Sequence, residues 1–422
     1  MTMKLERRRD NQQWILDYLT KTTGRVVSFS QDARTLPAEV KSYKMIPRVV
    51  EKHARHTETI ARAAEKAGHF QTAAELYWNA CEYYREAQHA IYEDDNPEKI
   101  YLHGKLLECF ERMSNYADHP IERVEIPFEK NFIQGVFHML PGRPKAATVL
   151  HLPGMDQTKE SRLDPLHHPY VMRGLNCLQI DGPGQGTSNI RKIRLTADNY
   201  RRAAKASMDW LCARGEVDAE RLVVTGYSFG SHWAMELAAI DDRVKAIATA
   251  AATYGPKRAL FEQASPRSKQ VGMYMADIHD EDEFDAFADQ LVIDEFAPNV
   301  ACPSLFCAGE YDDVGPIEEV LDVYRLVPPP KELWVIENGF HNPIGTSNFG
   351  GTGFFGVLAD WLNDVLAGKK PADLDRLVLI PVRGGAGPYS DPVPGILLPE
   401  RAGRTNTGLT QAQLGPAGVR RG

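Results

Sequence analysis

Three residues carry the chemistry that this chain is best equipped to do: a serine, an aspartate and a histidine, met in that order. Ser228 stands between two glycines in RLVVTGYSFGSHWAME, after the apolar run Leu222 to Val224 and before the helical pattern SHWAMELAA. A strand turning sharply into a helix there holds the serine in a strained backbone position, with its hydroxyl projecting above a sheet. Gly226 and Gly230 leave the room that such a turn needs. A serine hydroxyl is a weak nucleophile and requires a base, which an acid in turn orients. His341, in ENGFHNPIG just after an apolar strand pattern, fits the base. In GEYDDVGP the spacing of Gly309, Asp312 and Pro316 marks Asp312 as the acid, with Asp313 a solvated neighbour. The tetrahedral oxyanion needs two backbone N–H groups. Phe229 follows the nucleophile and Met155 follows Gly154 in HLPGMDQTKE, so these two are the expected donors.

The elements that must position these residues alternate. IERVEIPFE and NFIQGVFHML read as a strand hairpin. KAATVLHLPG, LNCLQIDGPGQG, the strand before Ser228, VKAIATAAA, CPSLFCAGE and KELWVIENG follow as apolar strands. Helical patterns separate them: LDPLHHPYVMRG, TADNYRRAAKASMDWLCARG, SHWAMELAA, and a helical insertion over 253–301. GVLADWLNDVLAG reads as a final helix. Continuous apolar strands separated by helices predict an α/β, mostly parallel, doubly wound sheet covered on both faces. Ser, Asp and His in this order, with the serine on a strand-to-helix elbow, predict the α/β-hydrolase fold over residues 121–370.

Residues 1–120 read as helical. Ala73, Tyr77, Ala80, Tyr84, Ala87 and Ile91 recur at helical spacing, and an earlier helix, about Val50 to Ala67, stops at Gly68. AEKAGHFQTAAELYWNACEYYREA has the look of one tetratricopeptide-type helical hairpin, without a second copy. Residues 371–422 are rich in Pro and Gly and are expected to be disordered or loosely docked. His232, four residues after Ser228, is expected as a structural or pocket-wall residue, and Asp156 joins Met155 at the pocket. Tyr83, Tyr84 and Trp78 are expected as aromatic walls. DGPGQGTS lacks a phosphate-loop ending and reads as a loop bordering the pocket.

The chain has 422 residues, of which 43% are hydrophobic and 25% charged, and a net charge of −8 without a basic block, which argues against nucleic acid. It has no apolar run of about 18 residues and no apolar stretch after its basic N-terminus, so neither a membrane span nor a secretory signal is expected. Six cysteines without CxxC spacing suggest buried thiols in a cytoplasmic protein.

EYYREA, PIERVEIPFE, PGMDQTKE, IDGPGQGTS and GYSFGS together resemble the 2,6-dihydroxypseudooxynicotine hydrolases and the fungal polyketide-shortening hydrolases of melanin pathways, over about residues 10–370. Esterase-like fermentation-respiration switch proteins are more distant relatives. The resemblance implies a helical lid over residues 1–120, a homodimer, and cleavage of a carbon–carbon bond beside a ketone in a small aromatic or polyketide-like substrate. It places the triad at Ser228, Asp312 and His341 and the oxyanion donors at Met155 and Phe229. It puts Glu262 in the region of an additional acidic pocket residue. No cofactor or metal is implied. A carboxylesterase with the same triad is the alternative, and a non-catalytic interaction protein on a hydrolase scaffold the remote one.

Overall fold

The computed structural model describes residues 37–390, apart from 264, 265, 313, 342–346, 351 and 352. The helical reading of residues 1–36, the tail beyond Ser390 and the neighbour Asp313 therefore lie outside the described residues.

Among the described residues, three α-helices come first: α1 (Ile46–Lys66), α2 (Phe70–His89) and α3 (Pro97–Ser114). Gly68, at φ +78°, reverses the chain between α1 and α2, as its lack of a side chain permits. Asn96 caps α3, its side chain accepting from the N–H groups of Glu98 and Lys99, with Pro97 at the first helical position. The periodic face of α2 is buried: Ala73, Tyr77, Ala80, Tyr84 and Ala87 pack in one apolar cluster with residues of α1 and α3. Tyr84 donates to Glu58 Oε2 (2.7 Å), and Lys105 donates to Glu58 Oε1 (2.6 Å), so one buried carboxylate ties all three helices together.

The sheet follows. Its strands are β1 (Ile121–Phe128), β2 (Asn131–His138), β3 (Ala146–Leu152), β4 (Asn176–Asp181), β5 (Val217–Tyr227), β6 (Val244–Ala250), β7 (Ser304–Gly309), β8 (Lys331–Ile336) and β9 (Asp375–Ile380). They pair in the order β1-β2-β4-β3-β5-β6-β7-β8-β9. The hairpin at the β1 edge is antiparallel, β2 pairs antiparallel with β4, and every later pairing is parallel. This is the α/β-hydrolase architecture. Neighbouring residues in one strand serve opposite faces, as the period of two demands. Leu150, Leu178, Val224 and Phe306 join one core, whereas Val149, Cys177, Val223 and Leu305 join the other.

The helices that cover these faces include α4 (Gly186–Ile190), α5 (Asn199–Cys212), α6 (Phe229–Ile240), α7 (Lys257–Gln263), α8 (Pro266–Ala276), α9 (Glu281–Ala288), α10 (Ile317–Leu326) and α11 (Phe354–Leu366). Of these, α7 to α9 form the helical insertion. All six cysteines are unpaired, five of them buried. Among the described residues, no helix is long and apolar enough to cross a membrane.

Two expectations are corrected. LDPLHHPYVMRG is not a helix; only Val171–Arg173 forms a short 3-10 turn. Pro165 and Pro169 lack the N–H that a helix interior needs. Asp164 Oδ1 also captures the N–H groups of Leu166 and His167, a local alternative to helical bonding. The second correction is the tail, whose first part is a sheet strand. Within 371–422, β9 pairs in parallel with β8 from Lys331↔Asp375 to Ile336↔Ile380. Val378 and Ile380 complete the core that contains Trp334 and Ile336. The flanking Pro and Gly residues masked a short apolar strand.

Candidate active site

The turn from β5 into α6 places Ser228 at φ 54°, ψ −124°, a conformation that costs a non-glycine residue free energy. Backbone crowding explains the two glycines. A Cβ at Gly230 would lie 2.0 Å from the Leu152 carbonyl oxygen, and one at Gly226 would lie 2.4 Å from the Gly230 oxygen. The Ser228 N–H donates to the Ala250 carbonyl (2.8 Å), fixing the turn to the end of β6.

His341 and Asp312 reach the same place from the loops after β8 and β7. These loops interlock: the Tyr311 N–H donates to the Gly339 carbonyl (2.8 Å), and the Glu310 N–H to that of Ile336 (3.0 Å). A Cβ at Gly309 would strike the Phe340 oxygen at 2.4 Å, so the glycine of GEYDD serves this close approach. His341 Nε2 lies 2.8 Å from Ser228 Oγ. On the far side of the ring, His341 Nδ1 lies 2.9 Å from Asp312 Oδ2. Asp312 Oδ1 accepts the N–H groups of Val314 and Gly315, both at 2.9 Å. The carboxylate is buried, and these bonds fix its orientation.

Gly154 brings the loop after β3 against the elbow, its missing side chain facing Ser228 Cβ at 3.2 Å. Two glutamines fix the peptide groups there. Gln157 Oε1 accepts the Gly154 N–H (2.9 Å), and Gln185 Nε2 donates to the Gly154 carbonyl (2.7 Å). Because C=O and N–H oppose each other across a trans peptide, this turns the Met155 N–H away from Gln185. Gln185 is itself held by Tyr200 OH (2.6 Å) and the Gly182 N–H (3.2 Å), both donating to its Oε1. In the sequence, Gln185 is one residue of a glycine-rich loop, and nothing there marks it.

Behind this loop, Lys159 Nζ contacts Asp181 Oδ2 (2.8 Å) and Glu160 Oε1 (2.6 Å), all three side chains being buried. Burial acts to raise the Asp181 carboxyl, but the Lys159 ammonium and two backbone N–H donors outweigh it and hold the group below its ordinary range. Glu160 is pushed up by burial, against the same ammonium.

Ser228, Phe229, Met155 and His341 line one cleft of about 710 Å³, its open mouth included, together with Asp156 and His89. Several residues expected there lie elsewhere. Tyr84 is buried in the helical core with its hydroxyl on Glu58, and Trp78 packs edge-on against Phe110. Tyr83 faces outward, near His53. Residues on the periodic face of α2 serve the packing of its own bundle, so only His89, at the end of that helix, reaches the cleft. His232 is wholly buried beneath Phe229, with ring centroids 5.8 Å apart. Burial, then the charges of Lys257 and Arg201, holds its imidazole well below the ordinary pKa. Glu262 is not among the described residues lining the cleft and pairs with Lys269, 3.3 Å distant. Among the cleft residues without a sequence signal are Arg162, in the irregular segment after the Met155 loop, and Arg267 on α8. Among the described residues, no cluster of His, Cys, Asp and Glu could hold a metal ion.

The chain is 27% identical over 311 residues to 2,6-dihydropseudooxynicotine hydrolase of Paenarthrobacter nicotinovorans, covering 72% of this chain and 80% of that protein. It is 29% identical over 253 residues to the alpha/beta hydrolase xenA of Xenoacremonium sinensis, covering 56% and 57% of the two chains. The match to the alpha/beta hydrolase gkaG of Penicillium citrinum, 28% identical, spans 51% of this chain and 52% of that one. The chain thus spans little more than half the length of these fungal relatives. The crystal structure of the 2,6-dihydroxy-pseudo-oxynicotine hydrolase superposes with a TM-score of 0.68 at 25% identity, covering 86% of this chain and 97% of that one. AbyA5, at 16% identity and a TM-score of 0.55, shares the fold. The family model described as "Esterase FrsA-like" matches residues 43–280, more than half of the 422 residues. The chain belongs to the FrsA-like esterase family of α/β hydrolases.

Proposed function

We propose that this protein is a serine hydrolase that cleaves a carbon–carbon bond beside a ketone in an aromatic or polyketide-like substrate and releases a carboxylic acid. The observation that carries the reading is the continuous hydrogen-bonded line from Ser228 Oγ through His341 to Asp312. Ser228 Oγ attacks the ketone carbon as His341 Nε2 takes its proton, and Asp312 holds the Nδ1–H side of the ring. The N–H groups of Phe229 and Met155 receive the oxyanion. When the tetrahedral intermediate collapses, the carbon–carbon bond breaks and its electron pair passes into an enolate or hydroxylated ring. The imidazolium returns its proton to the leaving carbon. Water, deprotonated by His341, then attacks the acyl-serine and frees the acid. The bundle of α1 to α3 serves as a lid, supplying His89 to the cleft wall. The carbon–carbon choice is supported by the similarity to 2,6-dihydropseudooxynicotine hydrolase.

The second reading is a carboxylesterase with the same triad, favoured by the esterase description of the matched family. Substrate separates the two. An acylated polyhydroxybenzene and an aryl β-diketone should be cleaved faster than p-nitrophenyl esters, with one oxygen from labelled water in the acid by mass spectrometry. Ser228→Ala should fold and lose turnover by about 10³-fold or more. Rapid ester turnover with every ketone untouched makes the protein an esterase. Near-normal turnover by Ser228→Ala ends both readings.

A further inference from the structure

The cleft carries more positive charge than the proposed chemistry uses. Arg162 and Arg267 both line it, and Asp156, the acidic side chain among its described lining residues, has His89 Nε2 4.0 Å away. Arg267 is anchored from the helical bundle side, its Nε donating to Tyr92 OH (3.1 Å). Arg162 is different. Its Nε is buried and has no hydrogen-bond partner among the described residues. Its backbone sits at φ 76°, a region that a bulky residue seldom adopts. Its guanidinium lies 4.4 Å from the centre of the Tyr227 ring, and that ring stands 6.4 Å from His341. Stacking on an aromatic face holds a guanidinium flat while its N–H edges stay available to an acceptor.

A buried guanidinium N–H without an acceptor costs stability, and so does a side chain held on a left-handed backbone. Both costs fall on one residue, in the wall of the cleft, one aromatic layer from the proposed base. A guanidinium so placed is matched by an oxyanion with two acceptor positions. We infer that Arg162, assisted by Arg267, forms an anion subsite, and that the substrate binds with a negatively charged oxygen against it. This deepens the hydrolase reading and rests on the cleft being the substrate site. Two sources share the chemistry: a carboxylate on the substrate, or the ionised enol or phenol oxygen of the leaving half.

The test measures binding without turnover, so it stands apart from the identity of the bond cleaved. Full-length Ser228→Ala protein is titrated calorimetrically with 4-phenylbutyrate, with 5-phenylcyclohexane-1,3-dione, whose enol is ionised at neutral pH, and with the neutral 4-phenylbutan-1-ol. At least one anion should bind about tenfold or more tightly than the alcohol, as charge-assisted hydrogen bonds allow. Whichever anion does so identifies the source. Adding Arg162→Gln should abolish the preference, whereas Arg162→Lys should keep part of it. Should the Gln variant fail to fold, Arg162→Lys alone tests the reading: without the planar fork the preference must fall below that of the arginine. Equal binding of the alcohol and both anions overturns the inference. So does a preference that survives Arg162→Gln, or one left unchanged by Arg162→Lys.

Discussion

Asp312→Asn tests the proposed triad most sharply, because the structure dictates which way the new amide must turn. Asp312 Oδ1 accepts two backbone N–H groups, from Val314 and Gly315, each at 2.9 Å. Placing the asparagine NH2 there would oppose donors to donors, leaving the half-buried Val314 N–H and the buried Gly315 N–H unpaired, at about 1–3 kcal/mol for a buried group. The amide oxygen therefore keeps the Oδ1 position, and the NH2 takes the Oδ2 position, 2.9 Å from His341 Nδ1. A donor at that point opposes a proton on Nδ1, and the amide oxygen, 3.1 Å from Nδ1, already spends both lone pairs on the Val314 and Gly315 N–H groups, so the ring proton moves to Nε2. Nε2, 2.8 Å from Ser228 Oγ, then has no lone pair with which to take the serine proton. A triad with its imidazole in the wrong tautomer loses about 10⁴ in kcat, about 5 kcal/mol of transition-state stabilisation. Packing hardly changes, so the thermal midpoint should stay close to wild type. Initial rates on p-nitrophenyl acetate and a thermal melt suffice to measure both. Activity within tenfold of wild type, with the melt unchanged, would refute the argument. A larger loss for Asp313→Asn than for Asp312→Asn would show the acid to be misplaced by one residue.

Two further predictions concern buried charge. Lys159→Met removes the cation shared by Asp181 and Glu160 and should cost about 3–5 kcal/mol, read from urea denaturation; a loss under about 1 kcal/mol would mean that the site collapses or hydrates without penalty. For Glu58, burial raises its carboxyl pKa, but hydrogen bonds from Lys105, Tyr84 and Arg62 prevail and hold it below the ordinary 4.5. Its ionised form thus stabilises the fold above that pH, and the contribution fades as pH falls through 4.5 toward the native value. Glu58→Gln should be less stable at pH 7 and show a shallower loss of stability on acidification, and parallel stability curves for the two proteins would contradict this.

Local pattern made much of this protein legible. The apolar strands, the glycines on both sides of Ser228 and the order Ser, Asp, His are short-range features, and each has a steric or chemical cause that acts within a few residues. They sufficed for eight strands of the sheet, the elbow and the three residues that the structure brings to one line. What the sequence could not supply was the partner of each surface. The aromatic side chains of α2 are as apolar as pocket walls, but α1 and α3 were nearer, burying Tyr84 and half-burying Trp78 against the bundle. Pro and Gly around residues 371–390 signal irregular chain, yet the open edge of β8 and the core beside Trp334 drew Leu377 to Ile380 into a ninth strand. Arg162, Gln185 and Arg267 belong to segments far apart in the chain and carry no motif. Their convergence around Ser228 is set by strand order and loop packing, which depend on long-range contacts that no local window of residues contains.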